Sequence, residues 1–137
     1  MTQHKYQDEA IVAEFRANHG KLGGSFLGAD VLLLHTIGAK SGLSFVTPLV
    51  CLPEGSRYFV FATNYGGPKN PSWYHNLLAH PEVHIEVGDD RIAVHAEELH
   101  DAEREAVYGR QAERYPVFTS YEEGTDRRIP VFALNPR

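Results

Sequence analysis

Glu82-Val-His-Ile-Glu-Val87, Gly88-Asp-Asp-Arg91 and Ile92-Ala-Val-His-Ala-Glu97 form the stretch on which the reading of the fold turns. Val83, Ile85 and Val87 alternate with Glu82, His84 and Glu86; Ile92, Val94 and Ala96 alternate with Ala93, His95 and Glu97. Period-two alternation in two adjacent runs marks strands with one buried face, and the polar break between them makes a hairpin. With a four-residue loop, Val87 faces Ile92 and His84 faces His95. The two histidines, flanked by Glu86 and Glu97, have the residue types of a metal site. They lie on the face opposite the apolar residues, however, so a solvated outer surface is the simpler account and no metal is expected.

Working outward, more strands appear than this hairpin alone. Val31–Ile37 is nearly continuous in apolar residues and suits a strand buried on both faces. Phe45–Leu52 and Arg57–Thr63 are rich in β-formers and are joined by Pro53-Glu-Gly-Ser56, while Ile129–Leu134 reads as a last strand. Helices fall between them. Residues 6–18 carry Tyr6, Ala10, Ile11 and Phe15 at helical spacing, and Asn70-Pro71 reads as an N-cap and first helical residue for a helix to Ala79. Asp101 reads as the cap of a helix to about Tyr115, with Glu103 and Glu105 in its first turn, and Phe118–Glu123 as a further helical turn. The sum is an α+β domain on a small sheet or barrel.

The chain has 137 residues, 42% hydrophobic and 23% charged, which suits one domain spanning 1–137 with no internal boundary. Within it, residues 1–29 supply the first helix and a mobile Gly-rich segment, Gly20–Gly28. Thirteen Lys and Arg against 18 Asp and Glu leave a net charge of −5, which argues against a nucleic-acid partner held by overall charge. The single cysteine, Cys51, excludes an internal disulfide framework and sits in the apolar run Pro48-Leu-Val-Cys-Leu52, where it reads as a packing residue. No apolar run reaches a membrane-spanning length, so a cytoplasmic location is expected.

Two loops invite a chemical reading. Gly38-Ala-Lys-Ser-Gly42 invites reading as an anion-binding turn with Lys40 as its cation, but on spacing alone an ordinary hairpin turn with a solvated lysine is the simpler account. Asn64-Tyr-Gly-Gly-Pro-Lys-Asn-Pro71 leads into a helix start with Lys69 beside it, and Gly66 and Gly67 serve either ligand approach or backbone geometry. Trp73 suits a core anchor. The aromatic series Tyr108, Tyr115, Phe118 and Tyr121 suits a flat pocket wall or a helix–sheet contact. No nucleophile elbow or paired-carboxylate motif supports hydrolase chemistry.

In order along the chain, Leu33-Leu-His-Thr-Ile-Gly-Ala-Lys-Ser-Gly42, Thr47-Pro-Leu49, Gly66-Gly67, Asn70-Pro-Ser-Trp-Tyr-His-Asn-Leu-Leu-Ala-His-Pro81, Tyr115-Pro116 and Thr125-Asp-Arg-Arg-Ile-Pro-Val131 resemble the deazaflavin-dependent nitroreductase family. That family comprises small actinobacterial and archaeal oxidoreductases using reduced coenzyme F-420. The resemblance runs from residue 30 to 136. It implies an α+β split β-barrel of the FMN-binding type with about three helices packed around it. It also implies hydride transfer from C5 of the deazaflavin to a small electron-poor acceptor: a quinone, a nitroaromatic, or an activated enone or lactone. The cofactor then carries the chemistry, which explains the missing catalytic motifs.

Carried over by position, Lys40, Ser41 and Gly42 match the coenzyme phosphate turn, and Pro48 the wall beside the ring. Thr63, Asn64, Gly66 and Gly67 match the segment against the deazaflavin, with Lys69 alongside. Trp73 matches an aromatic between cofactor and substrate. Tyr115, Phe118 and Tyr121 match the substrate pocket, Tyr121 as the catalytic proton donor. Where the family commonly carries Arg, Arg and Lys, this chain has Ala39, Phe45 and Tyr65. Those departures keep open a non-catalytic module holding F-420, flavin mononucleotide (FMN) or another planar anion on the same barrel. A homodimer, and peripheral membrane contact through Phe15, Leu22, Phe26 and Leu27, complete the expectations about partners.

Overall fold

A computed structural model describes the backbone of residues 2–137 and the side chains from Glu9 onward, so the expected role of Tyr6 lies outside the described residues. The elements are α1 (Thr2–Ala17), β1 (Val31–Ile37), β2 (Ser44–Glu54), β3 (Arg57–Phe61), α2 (Ser72–Ala79), β4 (Glu82–Val87), β5 (Asp90–Leu99), α3 (Asp101–Arg114), α4 (Val117–Glu123) and β6 (Val131–Pro136). The strands close into an antiparallel barrel in the order β1-β2-β3-β6-β5-β4, β4 returning to β1.

Alternation decides what fills the barrel. Leu32 and Leu34, Cys51, Val60, Val83 and Ile85, Val94 and Ala96, and Phe132 and Leu134 point inward, and Trp73 and Leu77 of α2 join them. The opposite faces are covered in two places. Phe59, Phe61, Val131 and Ala133 lie beneath α3 and α4, whose Val107, Tyr108 and Phe118 pack on them. Val31 and Leu33 lie beneath Phe15 of α1 and Leu22. That is why Val31–Ile37 has no polar alternation: both of its faces are buried.

Four expectations are corrected. The β4–β5 loop has two residues, Gly88 and Asp89, so Val87 pairs with Asp90, Ile85 with Ile92, His84 with Ala93, and His95 with Glu82. Slipping the pairing by two residues leaves every side chain on its own face, so alternation alone cannot distinguish the registers. Gly88 at φ 57 supports the short turn. At α3, His100 holds the cap position in extended conformation, and the first turn contains Asp101 and Glu103. Glu105 pairs instead with Arg104 and Arg128. The Phe118–Glu123 segment is a full helix, α4, giving four α-helices among the described residues. Gly20–Gly28 is packed down: Leu22 is buried, Phe26 contacts the α1 cluster, and the Gly23 N–H donates to Glu14 at 2.8 Å.

Candidate active site

β3 ends at Phe61, and the chain then turns in an unusual way. Asn64, Tyr65 and Gly66 have φ of 45, 58 and 77°, three successive left-handed residues, of which only Gly66 adopts this region without steric cost. Strain of this kind amounts to about 1 kcal/mol or more for each non-glycine residue, so surrounding contacts must hold it. Two local bonds close the turn, from the Gly66 N–H to Thr63 O at 2.8 Å and the Gly67 N–H to Asn64 O at 3.0 Å. Asn64 Nδ2 also donates to Lys69 O at 3.0 Å, which brings Lys69 into the same loop.

The larger restraint comes from Arg127, sixty residues away in sequence. Its Nε donates to Gly67 O at 2.9 Å, Nη2 to Ala62 O at 3.1 Å and Thr63 O at 2.8 Å, and Nη1 to Asn70 Oδ1 at 2.6 Å. All four acceptors are neutral, and burial draws its pKa down from the usual guanidinium value. Asn70 is therefore not the cap of α2: its side chain serves Arg127, Pro71 takes the cap position, and the helix begins at Ser72. Arg127 was not among the expected site residues. Its only signal was its place within Thr125-Asp-Arg-Arg-Ile-Pro-Val131.

The other side of this loop rests on α4. A Cβ at Gly66 would lie 3.2 Å from Tyr121 Cα, so the backbone approach is one that a side chain would crowd. Tyr121 is half-buried, and its phenol is shifted above the ordinary tyrosine range by burial and by the neighbouring Tyr65. Phe118 stacks edge-on against Tyr121 at 5.5 Å and Phe61 at 5.5 Å, and accepts a 2.6 Å bond from Tyr108 Oη at its carbonyl. Being buried, Phe118 backs Tyr121 rather than offering a surface of its own. Tyr115 is turned to structural use, accepting the Asp30 N–H at 3.1 Å ahead of β1. Gly66, Pro68, Gly124, Thr125, Asp126 and Arg127 line an open cleft of about 510 Å³ at this edge of the site.

A second group forms around the β1–β2 turn. Gly38 N–H donates to Leu43 O at 2.8 Å and Gly42 N–H to Gly38 O at 3.0 Å, while Ser41 Oγ accepts the Leu43 N–H at 3.1 Å. Buried Asn76 of α2 ties the turn down, accepting the Ala39 N–H at 3.0 Å and donating to Thr36 Oγ1 at 3.3 Å. Among the described residues, the backbone N–H groups of Lys40 and Ser41 have no partner, and the Lys40 side chain is exposed. Asn76 was not among the expected site residues; its only signal was its place within Asn70-Pro-Ser-Trp-Tyr-His-Asn-Leu-Leu-Ala-His-Pro81.

The structure thus gathers Thr63, Asn64, Gly66, Gly67, Lys69 and Tyr121 at one place, and Lys40, Ser41 and Gly42 at another, with α2 between them. Pro48 belongs to neither: it pairs with Leu33 midway along β2, on the outward face. Trp73 is placed differently from the carried-over role. At 6% exposure it fills the barrel mouth against Phe132, because α2 lies across that opening and its apolar face has nowhere else to go. Of the three positions that depart from the family pattern, Phe45 and Tyr65 are exposed aromatics, at 46% and 83%, and Ala39 is also at the surface.

Comparison with known proteins agrees with this architecture. Residues 9–136 match the sequence profile described as F420H(2)-dependent quinone reductase. An F420H(2)-dependent quinone reductase of Mycobacterium tuberculosis (strain ATCC 25618 / H37Rv) is 39% identical over 132 residues, which span 91% of this chain and 87% of that protein. Among solved structures, an F420-H2 dependent reductase (FDR-A) superposes with a TM-score of 0.72 at 39% identity, covering 77% of this chain and 94% of that one. A second, described as a domain-swapped dimer, superposes with a TM-score of 0.74 at 34% identity, covering 98% of both. With the barrel, the turn and the Arg127-held loop all in place, the chain belongs to the F420H(2)-dependent quinone reductase family.

Proposed function

We propose that this protein binds reduced coenzyme F420 and catalyses its oxidation by a quinone. The Gly38–Gly42 turn would hold the coenzyme's phosphate, and Thr63–Gly67 with Tyr121 would face its ring. The observation that carries the reading is the donor set of that turn. The exposed Lys40 ammonium, the Ser41 hydroxyl and the N–H groups of Lys40 and Ser41 all belong to this one five-residue turn, and among the described residues neither N–H has an internal acceptor. Such a set fits a phosphate, and Asn76 holds its shape before any ligand arrives.

When bound, the reduced deazaflavin supplies a hydride from C5. The residues of this chain supply the rest. The Asn64–Gly67 backbone would position a flat ring, and Tyr121 holds a proton at Oη, as any tyrosine does at neutral pH, with burial shifting it further the same way. One hydride and one proton convert a quinone to its hydroquinone, so a single donor suffices. The exposed faces of Phe45 and Tyr65 offer stacking surface where the family carries cations, which shifts the recognition of the coenzyme toward Lys40 and Lys69.

A homodimer is the assembly we assign, by analogy with the domain-swapped relative. Among the described residues, no helix is long and apolar enough to cross a membrane. Phe15 and Leu22 are buried against β1 and cannot meet a bilayer, so the peripheral membrane contact we infer for a cytoplasmic protein narrows to the exposed Leu27 beside Phe26.

The deciding experiment titrates the protein with coenzyme F420 and with FMN, then follows oxidation of the reduced deazaflavin on adding a quinone or nitroaromatic. Tight deazaflavin binding with acceptor-dependent oxidation is expected. Binding without oxidation across the acceptor panel would leave a carrier, and preferential FMN binding would reassign the cofactor.

A further inference from the structure

The four hydrogen bonds of Arg127 have a pattern beyond their number. Ala62 O and Thr63 O lie just before the left-handed turn, Gly67 O and Asn70 Oδ1 just after it, and none lies within Asn64–Gly66. The guanidinium therefore grips both ends of the strained segment and leaves its middle to face outward. Tyr65 at that middle is 83% exposed, so the packing of its own ring does not compensate for φ 58°. Arg127 also follows α4 closely, after Gly124, Thr125 and Asp126, and its own N–H is directed at Thr125 Oγ1 at 3.4 Å. One residue thus references the loop carrying Tyr65 to the helix carrying Tyr121.

From this geometry we infer that Arg127 is a positioning residue of the hydride-transfer site: its planar fork sets the left-handed turn, and through it the placement of Tyr65 and the seat of Gly66 on Tyr121. The inference rests on the deazaflavin reading for what the turn presents, though not for the turn itself. A lysine does not substitute, because a single ammonium cannot span carbonyls at both ends of the segment, even though it keeps the charge. With the fork removed, Asn64 and Tyr65 relax toward ordinary φ values and Gly66 lifts from Tyr121.

The test uses the full chain and two readouts. In Arg127→Lys, amide exchange at Gly66 and Gly67 accelerates while that of Phe59 and Val60 in the barrel is unchanged, and deazaflavin affinity falls about tenfold. In Arg127→Ala, millimolar guanidinium chloride restores part of the affinity, and sodium chloride at equal ionic strength does not. Exchange and affinity in Arg127→Lys within twofold of the parent would overturn the inference, as would absence of rescue by guanidinium. Should Arg127→Lys expose the barrel amides, Asn70→Ala carries the test instead. It removes one acceptor only, and is expected to raise exchange at Gly67 and weaken deazaflavin binding about threefold, with no change counting against the clamp. A parent chain that binds no deazaflavin defeats the coenzyme reading alone, and exchange at Gly66 and Gly67 then decides whether the clamp stands.

Discussion

Cys51 and Tyr121 show how burial sets the chemistry of single residues here. The Cys51 thiol, inside the barrel, is pushed up to about 12 by desolvation, with the negative charge of Asp30 adding to it. At pH 8 only about one molecule in ten thousand is then a thiolate. Iodoacetamide at that pH is expected to leave the folded protein unlabelled and to label it fully in urea; rapid native labelling would place the sulfur at the surface. Tyr121 is shifted the same way and for the same first reason, but it is only half-buried and borders the proposed ring site. Tyr121→Phe keeps the ring packed on Phe118 and removes the proton. It should lower kcat about 100-fold while deazaflavin affinity stays within twofold, and an unchanged kcat would send the proton source elsewhere. Lys40→Ala, at an exposed position, should weaken deazaflavin binding about tenfold in a fluorescence titration. An unchanged affinity would remove the turn from the site.

Among the elements, α1 is held to the barrel by charge as well as by packing. It docks through Phe15 on the outward face of β1 and through Arg16, whose Nε and Nη2 reach Glu86 at 3.0 and 2.6 Å. His35 Nε2 meets the same carboxylate at 2.6 Å. The Arg16 hydrogen bond is the largest cause holding the Glu86 carboxyl down at about 2, and His35 adds to it, against the opposing effect of burial. A carboxyl depressed on folding stabilises the protein above its unfolded pKa of about 4.3 and loses that contribution as pH falls through the folded value. With Arg16 half exposed, the contribution is about 1–2 kcal/mol rather than the full amount the shift implies. Urea unfolding of Glu86→Gln should therefore show a loss of this size at pH 7 that shrinks between pH 4 and pH 2. A pH-independent difference would assign the loss to packing.

At the scale of the whole molecule, the barrel interior is one continuous core, with Phe132 fully buried against Trp73 and Tyr74 of α2. Phe132→Ala leaves a cavity that six paired strands cannot collapse around, and should cost about 3–5 kcal/mol in denaturant unfolding. A loss below 1 kcal/mol would mean the interior relaxes more freely than closed strand pairing permits. The overall charge also acquires a role. A net −5 chain that binds a polyanion must do so through local cations, and Lys40 stands at a turn whose other donors are neutral.

The amino-acid sequence by itself determined which side chains fill the barrel, because period-two alternation depends only on neighbours along the strand. Val83, Ile85, Val94 and Ala96 point inward as their spacing requires, and the Gly55-Ser56 turn between β2 and β3 lies within the expected Pro53–Ser56 break. The same periodicity left the β4–β5 register open, since a slip of two residues keeps every face intact. Only the tertiary structure decided the rest. Trp73, a core anchor by its residue type and a pocket aromatic by family position, is a core residue because α2 lies across the barrel mouth, and Asn70 became an acceptor for Arg127 instead of a cap. Arg127 itself gained its partners only when Ala62, Thr63, Gly67 and Asn70 were folded around it. Backbone carbonyls carry no mark in sequence, so a guanidinium that binds them is silent until the chain closes.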